Sequence, residues 1–292
     1  MIRSLRAAAA LLLATACALV GAAAADAKTL DIVLLGDSYT AGSGGWAYEA
    51  NTCARSANTW GQVYGRLARE QGLTVHVNNA ACGGTVLSQL EAQMSAITPQ
   101  TDLVLMSSGG NDAGFSDAVT RCFTPLVAGP NICRGALQAS VRKLPAVETA
   151  LEHNFHLLLA KLRPGARVGY ISAPYLANSS GFLLRTPFAA YNSGAGTRAA
   201  QDGFDRVTHS AIAAANSTAG YEFVTFIPTK ARFAGHEPDQ NPWKEASGQW
   251  INEFTQVLGT TGYYHPNIKG YEEMGKAAMQ VAGPAGDFGL SQ

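Results

Sequence analysis

Short apolar runs that each end in a polar, glycine-containing turn recur along this chain, and they constrain its fold more than any single motif does. Residues 30–35 (LDIVLL) run into Gly36-Asp37-Ser38-Tyr39-Thr40-Ala41-Gly42, and residues 102–107 (DLVLMS) run into Ser108-Gly109-Gly110-Asn111-Asp112. An apolar run of this length bounded by turn residues reads as a buried strand. Further strands are expected at 73–77, 167–171 and 223–227. Between them the apolar spacing turns helical. Residues 59–71 place Trp60, Val63, Tyr64, Leu67 and Ala68 on one face, 86–97 reads as a helix, 141–162 as a long helix with Pro145 near its start, and 198–215 as another. Strands separated by helices imply right-handed crossovers and an α/β fold, a three-layer α/β/α sandwich around a parallel sheet of about five strands. Residues 122–133 are expected to be poor in regular structure. Residues 175–196 and 228–261 are expected to be long irregular loops, the latter carrying Trp243, Trp250 and Phe254; loops of that length usually shape a site.

Lys plus Arg and Asp plus Glu number 21 each, so no overall field attracts nucleic acid or an anionic membrane. A neutral or locally recognised substrate is the expectation, with at most transient lipid-surface contact and a monomeric chain. Arg3 and Arg6 precede an apolar run, and the segment closes on Ala23-Ala24-Ala25. That order of charged, apolar and small residues is a secretory signal cut near Ala25/Asp26, leaving one domain over 26–292 and an extracellular protein. The competing reading, a lipid-modified Cys17, lacks the large aliphatic residue expected before it in Ala14-Thr15-Ala16-Cys17. Cleavage leaves Cys53, Cys82, Cys122 and Cys133, which in an exported chain point to two disulfides. Cys122 with Cys133 would close a short loop, and Cys53 with Cys82 would tie the loop after the first strand to that after the second. The six histidines show no ligand spacing with these cysteines, so neither a metal nor another cofactor is expected.

In open parallel sheets the ligand crevice lies outside the carboxyl ends of the strands, which makes Ser38 a candidate nucleophile. Taken alone, Asp37 or Ser38 would read as a helix cap. Three further polar clusters change that reading: Gly83-Gly84 after the second strand, Gly109-Gly110-Asn111-Asp112 after the third, and Tyr263-Tyr264-His265-Pro266-Asn267 before an amphipathic helix containing Ile268, Tyr271, Met274 and Ala278. Together they supply acyl transfer: a hydroxyl, an imidazole suited to take its proton near neutrality, and amide donors for the oxygen that becomes negative.

This ordered set resembles the GDSL-type, or SGNH, hydrolases, a family of secreted esterases, lipases and phospholipases with a flavodoxin-like fold. The resemblance rests on Gly36-Asp37-Ser38-Tyr39, Gly109-Gly110-Asn111-Asp112 and His265-Pro266, which span most of the mature chain. It implies cleavage of carboxylic esters, of lipids or short acyl groups, with Ser38 as nucleophile and His265 as base. The Ser38 amide, Asn111 and a glycine of the second block would form the oxyanion hole; five residues on from Asn79 is Gly84, with Gly83 the alternative. The same site could serve acyl transfer or removal of acetyl groups from a polysaccharide, and a non-catalytic lipid- or glycan-binding member would keep the fold. The family commonly carries an Asp three residues before the catalytic His, where this chain has Gly262. By resemblance to secreted actinobacterial members, a backbone carbonyl just before His265 would orient the imidazole, with Asp239 or Glu237 the alternative. A third disulfide is not expected, because Gly235-His236-Glu237-Pro238-Asp239 contains no cysteine. His76, His153, His156 and His209 are expected to have structural or surface roles.

Overall fold

The computed structural model describes residues 28–239, 248–253 and 261–288. The expected signal segment, and Trp243 and Phe254 of the long loop, lie outside the described residues. In chain order the elements are β1 (Thr29–Gly36), α1 (Ser38–Ala41), α2 (Trp60–Glu70), β2 (Thr74–Asn79), α3 (Leu90–Gln93), β3 (Leu103–Ser107), α4 (Gly110–Ala113), α5 (Phe115–Phe123), α6 (Pro130–Lys161), β4 (Arg167–Ile171), β5 (Leu183–Thr186), β6 (Ala189–Asn192), α7 (Ser193–Ala219), β7 (Val224–Ile227) and α8 (Ile268–Ala282). Five strands form one parallel sheet in the order β2-β1-β3-β4-β7, and β5 and β6 make a separate antiparallel hairpin.

The strands form where side chains can be buried on both faces. Along β1, Leu30, Ile32 and Leu34 point one way, against Trp60 and Tyr64 of α2 and Tyr271 and Met274 of α8. Val33 and Leu35 point the other way, into a core with Leu144, Val147, Leu151 and Phe155 of α6 and Ile212 of α7. That alternation is the two-residue period of a strand, and two apolar faces are what a parallel sheet requires.

Four expectations need correction. Residues 122–133 are irregular only over 124–129: Cys122 lies on α5 and Cys133 on α6, so their disulfide staples two helices across that loop. α6 starts at Pro130, eleven residues before the expected start, because proline at the first helical position gives up no hydrogen bond. Pro145 is therefore inside the helix. The 86–97 segment is not one helix; its middle turn, α3, is flanked by 3₁₀ turns at Leu87–Gln89 and Met94–Ala96. Lastly, the β5–β6 hairpin occupies much of the expected 175–196 loop, and α7 begins directly after it.

Candidate active site

β1 and β3 lie side by side in register, with Gly36 opposite Ser107, so their carboxyl ends bring the two polar turns together. Gly36 has φ +128°, and a Cβ there would stand 2.0 Å from the Ser107 carbonyl oxygen. Only glycine lets the chain turn this close to its neighbour strand. The Asp37 amide then donates to that carbonyl at 3.1 Å, and the Asp37 carboxylate caps α1 by accepting from the Tyr39 amide at 3.0 Å. Ser38 thus begins α1, half-buried, with its side chain on a cavity of about 290 Å³.

The base arrives from the far end of the sequence. His265 Nε2 stands 2.6 Å from Ser38 Oγ, and its Nδ1 stands 2.9 Å from the Tyr263 carbonyl oxygen. A carbonyl only accepts, so Nδ1 carries the proton and donates to Tyr263, leaving the Nε2 lone pair facing the serine hydroxyl. Burial holds the His265 pKa down, from 6.5 to about 4, against the opposing pull of the Tyr263 bond. The imidazole is therefore neutral at neutral pH, with Nε2 free to accept a proton.

The turn that delivers this carbonyl is strained and well held. Tyr264 has φ +54°, a region non-glycine residues seldom adopt. Its amide donates to the Asn252 carbonyl at 2.9 Å, its own carbonyl accepts from the Tyr39 hydroxyl at 2.7 Å, and its ring stacks on Phe123 with centroids 4.9 Å apart. Asn252 in turn donates from its amide nitrogen to the His265 carbonyl at 2.8 Å. Strain at a site persists when the surroundings over-determine it in this way. Of the carboxylates considered for orienting His265, Glu237 is buried and bonded to Arg198 Nη1 at 3.1 Å and the Gly235 amide at 2.7 Å.

Asn111 sits on α4 and lines the same cavity as Ser38 and His265; its side-chain amide donates to the Thr85 carbonyl at 2.9 Å. Gly83 and Gly84 lie in an exposed turn beside the cavity rather than on its lining. The Gly83 amide is used by the Cys53 carbonyl at 2.9 Å. The Gly84 amide has no acceptor among the described residues, which favours it over Gly83 as a free donor. The Cys53–Cys82 disulfide, with Cα atoms 4.2 Å apart, fastens this turn to the loop after α1.

Sequence reasoning missed the groups that hold these turns. Gln93 accepts from the Gly36 amide at 2.7 Å and donates to the Gly36 carbonyl at 2.9 Å and to Thr85 Oγ1 at 3.0 Å. It thereby clamps the turn before Ser38 to the turn that supports Asn111. Asp112 accepts from the Leu87 amide through both carboxylate oxygens, at 3.2 and 3.0 Å. A lone Gln or Asp at such a separation leaves no periodic signal. The remaining histidines stand apart from the site: His76 pairs with Asp31 at 2.7 Å, His156 reaches Thr218, and His209 packs on Phe226. Among the described residues no three His, Cys, Asp or Glu side chains converge on a position that could hold a metal ion.

Residues 34–273 match the model of the GDSL-like lipase/acylhydrolase family. The chain belongs to that family. The match runs from the end of the strand before Ser38 into the first turns of the helix after His265, and it makes the protein a carboxylic ester hydrolase by family. Among its relatives, a lipase of Streptomyces rimosus is 29% identical over 270 residues, covering 90% of this chain and 92% of that protein. Lipase 2 of Streptomyces coelicolor is 30% identical over 280 residues, covering 87% and 86%. Two crystal structures share the GDSL fold. The extracellular lipase from Streptomyces rimosus superposes with a TM-score of 0.68 at 24% identity, over 84% of this chain and 95% of that one. Phospholipase A1 from Streptomyces albidoflavus gives 0.66 at 23% identity, over 85% and 96%.

Proposed function

We propose that this protein is a secreted serine hydrolase, one hydrolase domain following a cleaved signal of about 25 residues, that cleaves lipid or short-chain acyl esters through an acyl-enzyme on Ser38. The observation that carries the reading is the line of contacts from Ser38 Oγ to His265 Nε2, 2.6 Å, and from His265 Nδ1 to the Tyr263 carbonyl, 2.9 Å, at the wall of a cavity. In the first half-reaction Ser38 Oγ attacks the ester carbonyl while its proton passes to Nε2. The negative oxygen of the tetrahedral intermediate is held by the amides of Ser38 and Gly84 and the side chain of Asn111. Collapse breaks the bond to the alcohol oxygen, which leaves with the proton from His265. Water then repeats the sequence on the acyl-enzyme, releasing the acid and restoring Ser38.

The Tyr263 carbonyl takes the place of an acidic residue. It fixes the Nδ1–H tautomer and stabilises the imidazolium less than a carboxylate would, which fits a base whose pKa lies well below 6.5. Phe115, Val119, Ile171, Leu176 and Phe204 on the cavity wall suit an acyl chain. Two disulfides suit an oxidising, extracytoplasmic setting, in line with the extracellular lipase whose fold the chain shares. Ser38→Ala is expected to abolish turnover of a p-nitrophenyl ester with circular dichroism unchanged; retained turnover would refute the mechanism.

A further inference from the structure

The chain is charge-balanced as a whole, and its charge is unevenly placed. Residues 118–147 and 168–201 contain no Asp or Glu, yet carry Arg121, Arg134, Arg142, Lys143, Arg185 and Arg198. Arg121 is paired with Asp117, and Arg198 with Glu237. Arg134, Arg142 and Arg185 are exposed and have no acidic partner among the described residues.

These segments form the part of the molecule that stands above the catalytic edge of the sheet. A Cβ on Gly109, just past the end of β3, would touch Val147 of α6 and Phe204 of α7, which fixes the level of the strand ends on both helices. The helices run side by side in the same direction, with Leu137 against Gly196 and Leu144 against Gly203. At a rise of about 1.5 Å per residue, α6 extends about 25 Å from that level to its start at Pro130, and α7 about 17 Å to Ser193. Both starts point outward from the edge that carries Ser38, Asn111 and His265.

Two tips of this projection are apolar. Leu126, in the loop between α5 and α6, is fully exposed, and so is Phe188 at the tip of the β5–β6 hairpin, at 107% and 97%. Val127 and Ile132 beside them are exposed too. Single exposed apolar residues are ordinary; a group carried on two tips that are both fastened to the first turns of α6 is not. The tips are built to keep their positions. Leu126 holds φ +67° in a turn closed by bonds from the Val127 and Ala128 amides to Thr124, and the Cys122–Cys133 disulfide pins both ends of its loop. The hairpin is fastened to the same helix by Arg134, which donates to the Ala190 carbonyl and lies over the Tyr191 ring. The loop is also continuous with the cavity: Val119 and Thr120 line it, and Thr124 Oγ1 meets the Tyr263 hydroxyl at 3.3 Å.

We infer that this projection, with Leu126 and Phe188 as anchors and Arg134 and Arg185 beside them, docks the protein on an anionic lipid surface with the cavity beside the interface. The apolar tips enter the boundary between headgroups and acyl chains while the guanidinium groups stay among the lipid phosphates. No described helix is long and apolar enough to span a bilayer, so the contact is peripheral. Docking of this kind does not depend on turnover.

The test uses the Ser38→Ala protein, which leaves lipid intact, and co-sedimentation with vesicles of phosphatidylcholine with or without phosphatidylglycerol. Binding is expected on the anionic vesicles and to be much weaker on phosphatidylcholine alone. Adding R185Q, which removes a cation without touching the Arg134 contact that holds the hairpin, should weaken anionic binding about fivefold, the effect of one cation near such a surface. Adding L126S and F188S should weaken it at least about tenfold, because two apolar side chains no longer leave water. In the Ser38 background, L126S/F188S should turn over a soluble p-nitrophenyl ester within twofold of the parent. Phe188→Ser alone, at an exposed tip without core contacts, should show the same direction of change. Absence of vesicle binding by the Ser38→Ala protein, or equal binding by the tip variants, would overturn the inference. So would loss of soluble-ester turnover in L126S/F188S, which would assign the tips to the site itself. A concentration-dependent dimer in sedimentation velocity that L126S/F188S abolishes would assign them to self-association, and would also overturn it.

Discussion

Acidifying the assay should barely slow this enzyme until well below the pH at which an ordinary histidine base is lost. Burial moves His265 from 6.5 to about 4, which corresponds to about 3 kcal/mol of preference for the neutral imidazole. At pH 5 a base with that pKa is about 90% neutral, whereas an unperturbed histidine would be about 3% neutral. The assay is kcat/KM for a soluble p-nitrophenyl ester between pH 4 and 8, since that parameter reports the base in the free enzyme. The fold should survive this range. Burial raises Asp37 to about 7 and Glu253 to about 8, so their contribution to stability is fully present below their unfolded values of 3.8 and 4.5, is lost progressively as pH rises from there through 7 and 8, and is restored by acidifying. Glu273, held near 2 chiefly by its bonds to Lys269, Lys276 and Arg232 against the upward pull of burial, contributes above 4.5 and loses that contribution as pH falls through 2. An acid limb centred between 6 and 7, with circular dichroism unchanged, would refute the argument that burial and a carbonyl partner set this base.

The other expectations follow from the same geometry. Asn111→Ala should lower kcat by about 10² to 10³, the effect of removing one oxyanion donor, with KM little changed; an unchanged kcat would remove Asn111 from the oxyanion hole. Asp239→Asn should keep nearly full kcat, because Tyr263 already occupies Nδ1 of His265; a loss of about 10³ to 10⁴ would show that a carboxylate orients the base. Gly36→Ala should destabilise the protein by about 3 kcal/mol or more, from its left-handed φ and the clash with Ser107, and thermal unfolding unchanged within a degree would contradict that account.

The sheet was legible in the sequence because each parallel strand is buried on both faces and so appears as an unbroken apolar run, as in residues 30–35 and 102–107. The residues that meet in the cavity were legible for a related reason. Ser38 and Asn111 directly follow such runs, and His265 precedes an amphipathic helix with a clear face. Helix starts were less legible. Pro130 read as part of a loop and Pro145 as a residue near a helix start, yet Pro130 occupies the first helical turn and Pro145 lies inside a helix of 32 residues that packs against α7. The hairpin at 183–192 was hidden because its strands pack on helices rather than on the main sheet and are only partly buried. The orienting group of His265 had no side-chain signature, since it is the carbonyl of Tyr263, presented by the left-handed turn at Tyr264. Gln93 was silent for the same kind of reason: its value lies in bonding both backbone groups of Gly36, 57 residues away.

The central claim is that His265 activates Ser38, and intact-protein and peptide mass spectrometry after treatment with a fluorophosphonate tests it most directly. The account predicts a single adduct, located on Ser38, that forms in parallel with loss of ester hydrolysis and is absent or greatly slowed in His265→Ala. An active protein that gains no adduct, or one whose inactivating adduct lies on another residue, would contradict it.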